Sequence, residues 1–141
     1  VSLDECLQFV GKLRTITGRN YRLPKEAEWE YAARGGNKSR HTQYSGSNYL
    51  NDVAWDLDNS GRRTHPVRLK KCNELGIYDM TGNVCEWCCE WYSKYDEISK
   101  QENVVVRDAS WNHDARKCRI SDRGSLKRTN KGSGLGLRIV L

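Results

Sequence analysis

Apolar residues near the start of the chain recur at helical spacing. Leu3, Cys6, Leu7, Val10 and Leu13 share one side of a helix and are expected to face a core. Ser2 and Glu5 make a capping-box pattern, in which the hydroxyl takes the Glu5 N–H and the carboxylate reaches back to the cap. Gly18 marks the stop. A second helix is expected after Leu23, with Pro24 in its first turn, where proline's missing N–H is not needed. Ala27, Tyr31 and Ala32 line one face of it beside Trp29, and Gly35-Gly36 ends it.

The pattern then breaks down. From residue 37 to about 72 the chain is rich in Asn, Ser, Gly and charge, with short apolar islands such as Val53-Ala54-Trp55. A connection that long is functional or is held by ions and aromatic residues. Between Asn73 and Trp91, the side chains of Tyr78, Met80, Trp87 and Trp91 are expected to pack as a core around turns at Gly76 and Gly82. Val104-Val105-Val106 and Leu137-Arg138-Ile139-Val140-Leu141 read as short strands from their β-branched content and alternation. The pattern is mixed α+β with much irregular backbone, in one domain over residues 1–141.

Composition narrows the possibilities. No apolar run approaches the roughly 18 residues of a membrane span, and Val1 to Glu5 has neither the basic region nor the apolar core of a secretory signal. The net charge of +6 is unevenly placed. Residues 107–141 hold nine Lys or Arg against three acids, so the whole excess lies in the last quarter. Such a stretch attracts anions or acidic protein surfaces; no nucleic-acid motif accompanies it. Six cysteines occur, and Cys88 and Cys89 are adjacent, so reduced thiols are the expectation.

Two long tracts carry a family resemblance. Tyr21-Arg22-Leu23-Pro24-Lys25-Glu26-Ala27-Glu28-Trp29-Glu30-Tyr31-Ala32-Ala33-Arg34-Gly35-Gly36 and Asn73-Glu74-Leu75-Gly76-Ile77-Tyr78-Asp79-Met80-Thr81-Gly82-Asn83-Val84-Cys85-Glu86-Trp87 closely resemble the formylglycine-generating enzyme (sulfatase-modifying factor) family. The resemblance runs from Val1-Ser2 to Gly136-Leu137-Arg138. It implies an α+β, formylglycine-generating-enzyme-like or C-type-lectin-like fold. The family domain has a further N-terminal half, so the resemblance implies a shortened version or a fragment.

The resemblance also says where chemistry would lie. Catalytic members bind copper(I) through two cysteines, because soft thiolates suit that ion, and use oxygen to convert a substrate cysteine to formylglycine. Their cysteines follow a Gly-Gly-Ser-aromatic turn. Here the turn reads Asp108-Ala109-Ser110-Trp111, and the two cysteine positions fall at His113 and Cys118. Alternatively Trp111 to Arg123 matches shorter, non-catalytic relatives, in which the cysteine before an arginine is structural. Either way one member of the copper pair is missing, so copper is not expected. Cys118 with His113 would be the pair if the chain were an oxidase.

Calcium is the expected ion. Asp79, Gly82, Val84 and Glu86 match the family's calcium loop, where side-chain and carbonyl oxygens surround the ion. Ca²⁺ takes about six to eight hard oxygens and tolerates irregular geometry. The bland alternative has Asp79 capping a turn and Glu86 pairing with an arginine. A second family site lies near Asp52-Val53. Cys85-x-x-Cys88 could supply half a zinc site, though core thiols are the simpler account. Ser110, His113 and Asp114 crowd one loop and make a poor catalytic triad.

The expected function is therefore a non-catalytic ligand- or protein-binding domain, with its surface in the C-terminal basic segment. Trp111, Asn112, His113, Asp114, Asp122, Arg123, Arg128 and Asn130 are the candidate contacts, and a protein or a small anionic ligand is the expected partner. Variable proteins of diversity-generating retroelements share the resemblance and concentrate changeable residues in this stretch. The competing expectation is a copper-dependent oxidase acting on a sulfatase cysteine.

Overall fold

The computed structural model describes residues 1–92 and 103–141. Helix α1 spans Leu3–Thr17 and begins as expected. Ser2 Oγ accepts the Glu5 N–H at 3.2 Å, Glu5 accepts the Ser2 N–H at 2.7 Å, and Gly18 closes the helix at a φ of 68°. Leu3, Cys6 and Val10 are buried, while Leu7 is 45% exposed and Leu13 only half-buried. The apolar stripe is thus narrower than the spacing suggested.

Helix α2 spans Glu26–Ala33, so Pro24 lies just before it rather than in its first turn. The Glu28 carboxylate takes the Lys25 N–H at 2.8 Å and closes the first turn. Its buried residues are Trp29 and Ala33. Ala27 and Tyr31, expected on the inner face, point outward. A 3₁₀ turn at Gly36–Lys38 and a short helix α3 at Leu50–Val53 are the regular pieces of the long loop.

Four strands form one sheet: β1 Cys85–Trp91, β2 Asn103–Arg107, β3 Arg123–Lys127 and β4 Leu135–Leu137, in the order β3-β2-β1-β4. The β1–β2 and β2–β3 pairs are antiparallel, and β4 runs parallel to β1 with Glu86 opposite Gly136. The final strand starts earlier than its sequence suggested; beyond it Val140 exchanges backbone bonds with Arg22.

Strand alternation divides the core. Cys85, Trp87, Val104 and Val106 pack with Leu3, Cys6 and Val10 of α1. Cys88 and Val105 face the other way and pack with Trp29, Ala33, Met80 and Ile120. Each helix therefore covers one face of the sheet. Burying a residue the size of Trp29 or Trp87 contributes roughly 3 kcal/mol. Trp91, expected in the core, is 44% exposed. A third small cluster, Tyr44, Val53, Ala109 and Cys118, fastens the irregular loops to the end of β2. Among the described residues no helix is long and apolar enough to cross a membrane.

Candidate functional site

The segment after β2 turns at Asp108, whose φ is 70°. Catalytic relatives have glycine there, and an aspartate tolerates this left-handed region better than most residues. Its Oδ1 accepts the Gly82 N–H at 2.9 Å and the Ala109 N–H at 2.7 Å, while Oδ2 is buried without a protein partner. Burial, then the nearby Glu86 charge, pushes this carboxyl well above the usual range. Asp108 thus ties the expected calcium loop to the expected binding segment.

The loop that follows is held by its backbone and by buried side chains. Trp111 donates its N–H to the Asn83 carbonyl at 2.9 Å and accepts from Ser60 Oγ at 2.9 Å. The His113 carbonyl accepts the Leu57 N–H at 3.0 Å, and His113 Nδ1 accepts the Ser110 N–H at 3.0 Å. Asn112 is exposed, with Oδ1 taking the Ser110 hydroxyl. Ser110 is buried and Asp114 turns instead to Arg116 at 2.9 Å, so these residues form no Ser-His-Asp relay.

The eight candidate contacts divide. Asp114 and Asp122 meet, with Arg116, Lys117 and Arg119, around an open depression of about 430 Å³. Trp111, Asn112 and His113 stand on the adjoining loop against residues 57–60. Arg123 is elsewhere engaged: it forks onto Glu26 of α2, with both bonds at 2.6 Å, and lies over the Tyr92 ring. Arg128 pairs with Asp4 of α1, and Asn130 closes a turn onto the Lys127 carbonyl. These pairs of Arg123 and Arg128 join the C-terminal segment to the two helices, and the Asn130 bond is made by its backbone. The exposed loop with Leu57, Arg62 and Arg63 adjoins this segment through Ser60, and no sequence motif marks it.

The basic tail also changes meaning. Arg107, Arg123, Arg128, Lys131 and Arg138 all pair with acids from the first 86 residues. Arg107 is fully buried, reaches Glu26 and Glu30, and donates to the Ile120 carbonyl at 2.6 Å. More than half of the tail's cations thus knit the chain together.

The two cysteine-based sites fare differently from their spacing. Cys85 and Cys88 fall on opposite faces of β1, because three residues along a strand reverses direction; they cannot converge on one zinc ion. All six cysteines are free. Cys118 is buried with Tyr44, Val53 and Ala109, and that burial pushes its thiol up.

The expected calcium residues, Asp79, Gly82, Val84 and Glu86, do share one cleft of about 610 Å³. Several of their oxygens nevertheless have protein partners, the Glu86 carboxylate above all. Glu86 accepts from Arg138 Nε at 2.9 Å and Nη2 at 2.8 Å, and from Trp29 Nε1 at 2.6 Å. Asp79 Oδ2 accepts the Arg68 N–H at 2.7 Å, its carbonyl accepts Arg138 Nη2 at 2.9 Å, and the Gly82 carbonyl accepts the Val84 N–H. With a guanidinium already inside this oxygen set, the residues present do not fit a resident calcium ion. Among the described residues no group of three or more His, Cys, Asp or Glu is arranged to hold a metal.

Comparison with known proteins places this geometry. Residues 2–141 match the sulfatase-modifying factor enzyme 1-like domain. The chain is 40% identical to the chaperone protein LppX of Paenibacillus barcinonensis, over 85% of this chain and 49% of that protein. Among solved structures, Treponema denticola variable protein 1 superposes with a TM-score of 0.77 at 36% identity, covering 84% of this chain and 46% of that one. PvdO from Pseudomonas aeruginosa superposes with a TM-score of 0.81 at 27% identity, covering 99% and 59%. The chain spans about half the length of these relatives. It has the α+β formylglycine-generating-enzyme-like fold and belongs to the sulfatase-modifying factor enzyme 1-like family.

Proposed function

We propose that this domain is a non-catalytic binding module. Its contact surface is the loop from Trp111 to Asp122 with the adjoining residues 57–63, and its ligand is a protein or a small anionic molecule. The observation that carries the reading is a separation of duties within the loop. Ser110, Cys118 and Ile120 are buried and His113 is bonded inward, whereas Asn112, Arg116, Lys117, Arg119 and Ser121 are exposed. Apart from Asn112, whose Oδ1 takes the hydroxyl of the buried Ser110, the outward set can change without disturbing the inward one, and scaffold-held loops are where binding residues gather. Arg and Trp make efficient contacts there, since each covers much area or makes several directed bonds.

Two further points support it. One position of the copper pair is His113, whose Nδ1 is already spent on Ser110, and the other is the desolvated Cys118 thiol. A relative 40% identical is named a chaperone, which favours a protein ligand.

A narrower version, a receptor diversified by a retroelement, rests on the likeness to Treponema denticola variable protein 1. Sequencing sibling loci tests it: changes confined to outward positions between 111 and 133 support diversification, and a uniform segment rejects it. For the broader reading, reversing charge at Arg116, Lys117 and Arg119 should weaken capture of acidic peptides or small polyanions without shifting the melting temperature. Undiminished capture would place the surface elsewhere.

A further inference from the structure

The disagreement between the family's calcium loops and the oxygens found here has a simple physical content. We infer that this chain carries its own cations in those loops: Arg138 for the Asp79–Glu86 loop and Lys71 for the loop at Asp52. Both loops then keep their shape without a divalent ion.

Arg138 follows directly on β4, which runs parallel to β1 with Leu137 opposite Trp87. That register delivers its guanidinium to Glu86. Two nitrogens fork onto the carboxylate, and Nη2 also bonds the carbonyls of Tyr78, at 3.1 Å, and Asp79, at 2.9 Å. The guanidinium therefore occupies both oxygens of Glu86, the one glutamate of the expected calcium set, and ties that carboxylate to the neighbouring 78–79 backbone. A planar fork suits such a site, because it offers several donors from one charge. The pair is sheltered, with Glu86 side-chain exposure of 5% and Arg138 of 24%. A calcium ion entering here would have to share Glu86 with a fixed positive group or expel it.

The second loop repeats the arrangement with different chemistry. Lys71 Nζ stands 3.2 Å from Asp52 Oδ2, its backbone N–H bonds the Asp52 carbonyl at 2.9 Å, and Ser47 Oγ donates to the same carboxylate. Lys71 is more exposed, at 72% of its side chain, so this contact is the weaker of the two.

Calcium titration of the chelator-stripped protein tests the inference, read by calorimetry and by thermal melting. Wild-type protein should show no saturable binding up to about 1 mM calcium, a range in which weak extracellular calcium sites already fill, and the same melting temperature in calcium and in chelator. Arg138→Met leaves Glu86 and the 78–79 carbonyls without a cation. It should melt lower in chelator, recover in calcium, and bind the ion at least about tenfold more tightly than wild type. Arg138→Lys keeps a charge and should stay indifferent to calcium. One-to-one binding by the wild type with a rise in melting temperature would overturn the inference, and the wild-type titration decides this even if the methionine variant does not fold. A folded Arg138→Met protein that gains no calcium response would overturn it as well.

Discussion

Ser110 donates its backbone N–H to Nδ1 of His113 at 3.0 Å, three residues along the same loop. This bond makes the imidazole a clasp for the turn. The His113 backbone extends it, since its carbonyl takes Leu57 and its N–H returns to Ser110. His113→Ala should therefore lower stability by about 1 kcal/mol, the usual worth of such a bond, seen in denaturant or thermal unfolding. An equal loss in Arg119→Ala, an exposed side chain of the same loop, would argue against the assignment.

Arg107 is the most committed charge in the molecule. Its side chain is wholly buried and bridges Glu26, at 2.9 Å, and Glu30, at 3.0 Å, with its guanidinium over the Trp29 ring. Removing Arg107 leaves Glu26 to Arg123 and Glu30 to Arg34 and takes the donor from the Ile120 carbonyl, so opening this buried network costs about 3 kcal/mol. Arg107→Met should lower the melting temperature by roughly 10 °C or more. A loss within about 0.5 kcal/mol, the range of an ordinary surface change, would contradict this placement.

Acid and neutral pH should act on different carboxyls. Burial pushes Glu26 and Glu30 upward, but the Arg123, Arg107 and Arg34 guanidiniums outweigh it and hold both below the ordinary 4.5. A depressed carboxyl stabilises the fold above its unfolded value, and that contribution is lost as pH falls through the folded one. Stability should therefore fall on acidification below about pH 4.5, and Glu26→Gln should flatten part of that slope. Asp108 has the opposite sign. Burial and Glu86 raise it far above 3.8, so its folded form favours the proton and stability is lost as pH rises from there. Asp108→Asn keeps an oxygen for Gly82 and Ala109. It should be more stable than wild type at pH 7 by roughly 1–3 kcal/mol, with the difference vanishing near pH 3. No gain at neutral pH would mean that Oδ2 is not left wanting.

Local signals carried the helices and little of the sheet. Ser2, Glu5 and Gly18 bound α1 because capping is a short-range matter of hydrogen bonds, readable from three residues. Strand β3, Arg123-Gly124-Ser125-Leu126-Lys127, has almost no strand character. It holds its place at the sheet edge by pairing with β2 over its whole length, a long-range fact. Strand β1 shows in the sequence only as core, since Cys and Glu break the β-branched pattern. The site shows the same limit. Asp114 and Asp122 are brought together as residues of one segment, but Arg123 and Arg128 look like free contacts until α2 and α1 supply their acids. The calcium loop has the right residue types in the right order; what the linear pattern hides is Arg138, 52 residues beyond Glu86 and delivered there by β4.

Whether this member of the family binds rather than catalyses turns on copper. The measurement is an anaerobic Cu(I) titration of the reduced protein against a competing chelator, with Cys118→Ala run beside it. A binding module should show no tight one-to-one binding that depends on Cys118. Tight stoichiometric binding that disappears in the Cys118→Ala protein would contradict it and restore an oxidase with His113 as its second ligand.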